Sequence, residues 1–137
     1  MFRMVNGRSS QLIEVEAQVL FARFVEVDGK PVRRFDNLEL ERRRVTFFPL
    51  AWTIVHPIDE QSPLYNLTEA DLKKTDAEIL ILLAATDETF ASIVHTRSSY
   101  KTSEVKFKRK FVNMYNEAKD GEPLSININK LSQIEEV

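Results

Sequence analysis

A histidine, an aspartate and a serine lie close together in the segment HPIDEQSPLY, at His56, Asp59 and Ser62. Hydrolases use these three residue types as base, orienting acid and nucleophile. A serine nucleophile also needs an exposed, strained turn and backbone amides that form an oxyanion hole. Because Pro63 follows Ser62 directly and no glycine is nearby, the segment does not meet these needs. We therefore predict no catalytic residues here and no enzymatic activity for the chain.

The same segment is a weak candidate for a metal site, since a metal ion needs about three or four converging ligands. The segment offers a single imidazole, with carboxylates at no recognisable interval, and the second histidine, His95, is far along the chain. Pro57 has no amide hydrogen for a strand ladder, whereas Asp59 and Ser62 can accept hydrogen bonds from nearby amides. The pattern favours a structured corner that ends a strand, with no metal and no cofactor.

Composition places the chain among ordinary globular domains. Its 137 residues are enough for one core but not for two, and 43% apolar with 29% charged residues is typical of such domains. A formal net charge of −2 argues against a nucleic-acid binder, and the absence of cysteine excludes disulfides and thiolate chemistry. No apolar run approaches the ~18 residues that cross a bilayer, and the N-terminus does not resemble a secretory signal. Read alone, the sequence predicts one soluble domain over residues 1–137.

Residues 11–27 alternate between apolar and polar side chains, which predicts a half-buried strand. Asp28 and Gly29 follow, and both tolerate the positive φ angles of a tight turn. We therefore expect a hairpin whose second strand lies within residues 32–40. The apolar members of the first strand fall at odd positions: Ile13, Val15, Ala17, Val19, Phe21, Val25 and Val27.

Residues 45–55 are almost continuously apolar or β-branched, which predicts a strand covered on both faces. Trp52 within it is expected to lie in the core, and Pro49 to mark an edge or bulge. Further on, Thr68 and Asp71 have the spacing of a capping box, in which each side chain satisfies an amide of the first helical turn. A short helix is expected there.

Residues 78–85 read as a second buried strand, residues 86–89 interrupt it, and residues 90–97 resume extended character. Residues 104–114 alternate apolar with basic side chains, so the run KFKRK is predicted to be the solvated face of another strand. A turn follows at residues 120–121. Many short strands with turns between them and one minor helix predict an all-β fold, an immunoglobulin-like β-sandwich.

Asp87 and Glu88 stand at the interruption between two apolar strands, where we predict a loop. Loops on a rigid scaffold often carry function. Two adjacent carboxylates are equally typical of a solvated hairpin tip. Spacing alone supports both interpretations.

Several motifs together resemble the cytoplasmic domain of inward-rectifier potassium channels, especially the bacterial members. Their order and gaps agree from Phe2 to the C-terminus, and the H-x-I-D-x-x-S-P-L and R-[ST]-S-Y pieces are specific to that family. The motifs are Phe2-Arg3-x-x-Asn6-x-Arg8, Leu12-Ile13-Glu14, Trp52-x-x-x-His56-x-Ile58-Asp59-Glu60-x-Ser62-Pro63-Leu64-Tyr65, Asp87-Glu88-Thr89 and Arg97-Ser98-Ser99-Tyr100.

The resemblance implies an immunoglobulin-like sandwich that hangs below a two-helix transmembrane pore and assembles as a homotetramer. This sequence contains neither the transmembrane helices nor the T-V-G-Y-G filter, so it looks like a C-terminal domain separated from its pore domain. The full-length protein would lie in the cell membrane with this domain on the cytoplasmic side. The fragment alone is expected to conduct nothing.

The resemblance also implies site residues. Residues 85–92 match the loop that narrows the cytoplasmic pore, with Glu88 at its acidic position, and Glu14 matches a vestibule acid that attracts potassium ions, polyamines and magnesium. Arg8 matches a basic position that contacts anionic lipid headgroups in eukaryotic relatives. The pore-lining and gating residues implied in this way are Glu14, Ala85, Thr86, Asp87, Glu88, Thr89 and Ala91.

Three departures from the family pattern limit these roles. Relatives carry an acid just before this loop and a glycine within it, whereas this chain has Ala84 and Ala85 at those two positions. Ser9 stands where eukaryotic relatives have a basic residue. Where relatives place further vestibule acids, this chain has the shorter segment 39–44, ELERRR, with three consecutive positive charges. Strong polyamine rectification is therefore not expected. The first hypothesis is a gating and vestibule domain of a potassium channel. The alternative is a soluble immunoglobulin-like interaction module without a channel role, which predicts the same fold.

Overall fold

The fold is all-β with antiparallel pairing, as predicted, and a computed structural model describes it over residues 1–7, 11–117 and 120–137. Within these residues there are nine strands and one short α-helix. The helix is α1 (Glu69–Lys74), and the strands are β1 (Phe2–Val5), β2 (Leu12–Val27), β3 (Lys30–Leu38), β4 (Arg44–Phe47), β5 (Ala51–Ile54), β6 (Glu78–Asp87), β7 (Ser92–Lys101), β8 (Arg109–Phe111) and β9 (Ile134–Glu136).

The main sheet is built on the long strand β2 and has the order β3-β2-β6-β7. β6 covers one edge of β2. The other edge is shared, because β3 pairs with residues 19–27 and β4 pairs with residues 13–16. Two smaller sheets, β1-β5 and β8-β9, complete the pairing.

The predicted hairpin is confirmed. Val27 lies opposite Lys30, so the connection has two residues, Asp28 and Gly29, with φ angles of 51° and 76°. Positive φ at both positions matches the right-handed twist of the flanking strands.

The core lies between the main sheet and the β1-β5 sheet, as expected of a β-sandwich. Phe21 of β2 is fully buried, and Trp52 of β5 is 5% exposed, which confirms the predicted place of the tryptophan. The ring of Phe48 contacts Trp52 edge to face, at 6.3 Å between centroids. Truncating a ring such as Phe21 to alanine typically costs about 3–5 kcal/mol, so this core carries much of the stability.

The predicted capping box is also present at α1. The amide of Asp71 donates to the Thr68 hydroxyl at 3.2 Å, and the amide of Thr68 donates to the Asp71 carboxylate at 2.9 Å. Leu72 is the buried residue of this helix. Six residues give less than two turns, so the cap and this one contact hold the helix in place.

The prediction of one continuous strand over residues 45–55 is wrong. β4 ends at Phe47 and pairs with β2, while β5 begins at Ala51 and pairs with β1 in the other sheet. Pro49 lies in the break, and since it has no amide hydrogen, it cannot continue a ladder. Phe47 is 65% exposed, so β4 is not covered on both faces. The apolar run crosses from one sheet to the other.

The prediction of a strand over residues 104–114 is mostly wrong. Residues Thr102–Glu104 form a 3₁₀ turn, and only Arg109–Phe111 is a strand, β8. Lys108 adopts a φ of 54°, which breaks an extended backbone. The basic side chains are exposed as predicted, and Arg109 pairs with Glu136 of β9 at 2.9 Å.

Arg3 of β1 holds the C-terminal segment against the sandwich. Arg3 is 9% exposed, and its guanidinium donates to the carbonyl oxygens of Val112, of Lys130 at 2.6 Å, and of Leu131 at 2.9 Å. It also lies over the ring of Phe111, 4.5 Å from the centroid. Sequence reasoning gave Arg3 only a place in a motif, because its acceptors are more than a hundred residues away.

Candidate functional site

A β-bulge shapes the start of β2. Ile13 lies opposite Thr86 and Glu16 opposite Ala84, so three steps along β2 match two steps along β6. Glu14 is exposed within this bulge and has a φ of 49°. A non-glycine residue at positive φ is uncommon and is a known feature of bulges. The bulge sets the direction of the Glu14 side chain.

The bulge also changes which residues of β2 face the core. Val15 is 1% exposed, as predicted from its odd position, but Leu12 at 9% replaces Ile13 as the buried residue before the bulge. Ile13 is only half-buried. The expectation that all odd positions share the core face is therefore wrong at Ile13, because an inserted residue reverses the alternation.

The turn between β6 and β7 differs from the predicted loop. β6 continues through Thr86 to Asp87, and the turn occupies residues 88–91. Asp87 is fully buried, and its carboxylate accepts hydrogen bonds from the amides of Thr89 at 3.0 Å and Phe90 at 3.3 Å. The prediction that Asp87 lies in a loop is thus wrong. Asp87 instead shapes the turn.

The start of β2 and the turn after β6 meet at one end of the main sheet. Leu12 lies opposite Asp87, and the amide of Glu88 donates to the carbonyl of Gln11 at 3.1 Å. Glu14 and Glu88, the two acids assigned by resemblance, therefore lie at the same end of the main sheet, and both are exposed. We call this end of the sheet the carboxylate end.

The other residues of the implied pore-lining set differ in exposure. Thr89 and Ala91 are exposed, Thr86 is half-buried, and Ala85 is 6% exposed because it packs in the core. Ala91 has a φ of 48°, and this left-handed backbone conformation closes the turn. Arg8 lies outside the described residues.

An exposed apolar row crosses the sheet beside the carboxylate end. Phe47, Ile13, Thr86 and Ile93 lie opposite one another on β4, β2, β6 and β7, so their side chains share a face. Phe47 is 65% and Ile93 69% exposed, and Phe90 in the adjoining turn is 70% exposed. Sequence reasoning missed this row because it depends on strand register, although the side chains themselves are visible in the sequence.

The segment around His56 is a corner, as predicted. The imidazole Nδ1 lies 2.5 Å from the carbonyl of Glu39, and Nε2 lies 2.6 Å from the Ser62 hydroxyl. Asp59 accepts a hydrogen bond from the amide of Gln61 at 3.0 Å. The Asp59 carboxylate therefore supports the turn. The His56 imidazole contacts a backbone carbonyl, that of Glu39, and not a carboxylate.

No group of three or more histidine, cysteine, aspartate or glutamate side chains is placed to hold a metal ion within residues 1–7, 11–117 and 120–137. Over the same part of the chain, no helix is long and apolar enough to cross a membrane.

Comparison with known families identifies the chain. The sequence profile described as "Inward rectifier potassium channel C-terminal domain" matches residues 1–137. The chain belongs to this family. The family resemblance seen in the short motifs is therefore confirmed. The motifs map onto β1, the β2 bulge, the His56 corner and the β6-β7 hairpin of this inward-rectifier domain.

Relatives of this inward-rectifier domain come from bacteria and mammals. "Inward rectifier potassium channel Kirbac3.1" of Paramagnetospirillum magnetotacticum is 36% identical over 122 residues, which are 88% of this chain and 41% of that protein. "ATP-sensitive inward rectifier potassium channel 12" of Mus musculus and of Rattus norvegicus are each 33% identical over 120 residues, 81% of this chain and 27% of those proteins. The chain thus spans less than half the length of these relatives.

Proposed function

We propose that this chain is the cytoplasmic gating and vestibule domain of a potassium channel of the inward-rectifier type, acting as a homotetramer below its own transmembrane pore. The family match over residues 1–137 supports this assignment. The observation that carries the vestibule role is the meeting of the Glu14 bulge with the Glu88 turn at one end of the main sheet. Residues 1–137 form one cytoplasmic domain in this proposal.

The carboxylate end would act on cations by electrostatics. Glu14 and Glu88 are exposed on each subunit, so four copies around an axis would bring eight carboxylates, two from each subunit, into one aqueous space. A cleft lined by one sign of charge raises the local concentration of counter-ions. We propose that potassium ions, polyamines and magnesium are attracted there, while Thr89 and Ala91 line the narrow part.

The rigid construction of the turn supports a gating role. Asp87 is buried and bonded to two amides of the turn, and Ala85 is packed in the core. Movement of a whole sandwich would therefore carry the turn with it, instead of bending it locally. In this proposal Ala85, Thr86 and Asp87 support the gate from behind, and Glu88 faces the ions.

The exposed apolar row supports assembly. Phe47 and Ile93 are more than half exposed on the isolated chain, and contiguous apolar surface of this kind is often an interaction site. We propose that neighbouring subunits cover this row in the tetramer. The proposed place of Arg8 beside anionic lipid headgroups rests on the resemblance alone.

Ion flux through the reconstituted full-length protein tests the vestibule role. We expect Glu88→Gln and Glu14→Gln each to lower potassium flux or weaken block by magnesium and spermine, because each removes one carboxylate per subunit. Glu26→Gln is the matched control, since Glu26 lies on the same strand, is exposed, and is twelve residues from Glu14. Flux and block that stay unchanged in both site variants would remove these acids from the ion path.

A second measurement tests assembly. Light scattering of the full-length protein in detergent should give the mass of four subunits, and Phe47→Glu with Ile93→Glu should reduce this mass because charges would be placed in the subunit contact. A full-length protein that is monomeric and carries no potassium flux would favour the alternative of an interaction module.

A further inference from the structure

Asn6 and Gly7 follow directly on β1, in the connection that leads from the β1-β5 sheet to β2 of the main sheet. An asparagine side chain is open to attack by the backbone nitrogen of the next residue, and glycine favours this attack because it has no Cβ to hinder the approach. The chain has only this Asn-Gly pair, since every other asparagine precedes a residue with a Cβ. Those asparagines are Asn37, Asn66, Asn113, Asn116, Asn127 and Asn129.

The backbone of Gly7 is not held by a strand ladder. β1 pairs with β5 only as far as Val5, and the Gly7 amide forms no backbone hydrogen bond with another residue in the described part of the chain. Gly7 is exposed, and among the described residues beyond its chain neighbours nothing lies within 4 Å of the position that a Cβ would take. The Gly7 nitrogen can therefore turn toward Cγ of the half-buried Asn6 without breaking a backbone hydrogen bond.

We propose that Asn6 is a site of spontaneous deamidation, with water as the only other reactant. The Gly7 nitrogen loses its proton and bonds to Cγ of Asn6, while the bond from Cγ to Nδ2 breaks, so that ammonia leaves and a cyclic succinimide remains. Water then opens the ring. Breaking the new bond between the nitrogen and Cγ gives aspartate, whereas breaking the bond between the nitrogen and the main-chain carbonyl carbon of Asn6 gives isoaspartate.

Both products change the connection between the two sheets. Each adds a carboxylate that is ionised at neutral pH, so the formal net charge of −2 becomes more negative by one. Isoaspartate also routes the main chain through the side-chain methylene, which lengthens the connection. The change falls between the Arg3 anchor in β1 and the Glu14 bulge in β2. The modification goes beyond the proposed channel function and does not depend on it.

Incubation of the purified protein at neutral and at mildly alkaline pH, followed by mass spectrometry of tryptic peptides, tests the site. Cleavage after Arg3 and Arg8 isolates residues 4–8, which contain no other asparagine. We expect conversion of Asn6 to aspartate and isoaspartate, faster at the higher pH because the attacking nitrogen must lose its proton. Labelling with protein isoaspartate methyltransferase identifies the isoaspartate. A synthetic peptide of residues 4–8, incubated beside the protein, gives the rate in the absence of a fold.

Gly7→Ala is the variant that tests the attacking group. Gly7 does not have a positive φ, and the space where the methyl group would lie is open, so alanine fits without strain. The substitution should slow the conversion of Asn6 about tenfold, since a Cβ hinders ring closure. Asn66 is the internal control, because it is exposed but precedes Leu67, and it should stay intact over the same period.

Two results would overturn the proposal. If Asn6 stays intact in the protein while the peptide deamidates, the fold protects the Asn-Gly pair. If Gly7→Ala converts as fast as the original protein, the nitrogen of residue 7 is not the attacking group. Thermal unfolding of Gly7→Ala should match that of the original protein, which shows that the variant is folded.

Discussion

The Nε2 atom of His56 and the hydroxyl of Ser62 lie 2.6 Å apart, which is hydrogen-bonding distance. Nδ1 faces a carbonyl oxygen, that of Glu39, so Nδ1 carries the hydrogen and Nε2 accepts from the serine. The Ser62 oxygen in turn accepts from the amide of Leu64 at 3.1 Å. These groups are occupied in joining the end of β3 to the turn after β5, which is a structural task.

Replacing Ser62 with alanine therefore tests stability first. The change leaves Nε2 of His56 without its donor and the amide of Leu64 without its acceptor, and Ser62 is 9% exposed. We expect the free energy of unfolding to fall by about 1–2 kcal/mol in urea denaturation. Ser132→Ala is the control, because Ser132 is exposed. A variant as stable as the original protein would show that this network does not hold the corner.

The backbone at Glu14 gives a second prediction. A residue with a Cβ at a φ of 49° is strained by about 1–2 kcal/mol, and glycine is not. Glu14→Gly should therefore be neutral or stabilising by up to about 1 kcal/mol, whereas Glu14→Val should destabilise by about 2 kcal/mol, since β-branched residues tolerate positive φ poorly. Urea denaturation measures both.

The same two substitutions at Glu26 provide the control. Glu26 is exposed on the same strand, opposite Pro31, without a positive φ. There the order should reverse, because valine favours a strand and glycine weakens it. The same order at both positions would contradict the strained bulge.

A third prediction concerns the Arg3 anchor. Arg3→Met keeps an apolar stem beside Phe111 but removes the donors to Val112, Lys130 and Leu131. We expect a loss of about 3 kcal/mol, as hydrogen bonds from a buried charged group are stronger than average. Hydrogen exchange should then show reduced protection in β8 and β9.

Arg42→Met is the matched control for the anchor, since Arg42 is exposed. It should leave exchange in β8 and β9 unchanged. If the Arg3→Met protein instead lost exchange protection uniformly in all of its strands, Arg3 would support the whole core and would not specifically hold the C-terminal segment.

The helix cap predicts a pH dependence. The amide and hydroxyl of Thr68 donate to the Asp71 carboxylate and hold its pKa below the ordinary value of 3.8, with Lys74 contributing less. Since the folded state has the lower pKa, this stabilisation is complete above pH 3.8 and is lost as the pH falls through the folded pKa.

Thermal unfolding measured from neutral to acidic pH tests this cap. Asp71→Asn should be less stable at neutral pH and should lose less stability on acidification than the original protein. Glu60→Gln, at an exposed position outside the helix, should keep the original dependence. If Asp71→Asn also keeps it, the carboxylate of Asp71 is not the titrating cap.

Local patterns predicted much of the fold. The Asp28-Gly29 hairpin and the Thr68-Asp71 cap depend on neighbouring residues alone, so their chemistry can be read directly from the sequence. The core place of Trp52 followed from its apolar neighbours. Over residues 45–55 the same reasoning failed, because a run of apolar residues does not reveal that Pro49 separates strands of two different sheets.

By itself the sequence determined the family, the all-β class, the local turns and the candidate acids, since these depend on residue types and short spacings. Only the tertiary structure decided that Asp87 is buried while Glu88 is exposed, and that the Glu14 bulge meets the Glu88 turn. It also decided that Arg3 reaches the C-terminal carbonyls and that the Gly7 amide lies outside the β1-β5 ladder. These relationships depend on strand register and long-range pairing, and one inserted residue in β2 is enough to reverse which side chains face the core.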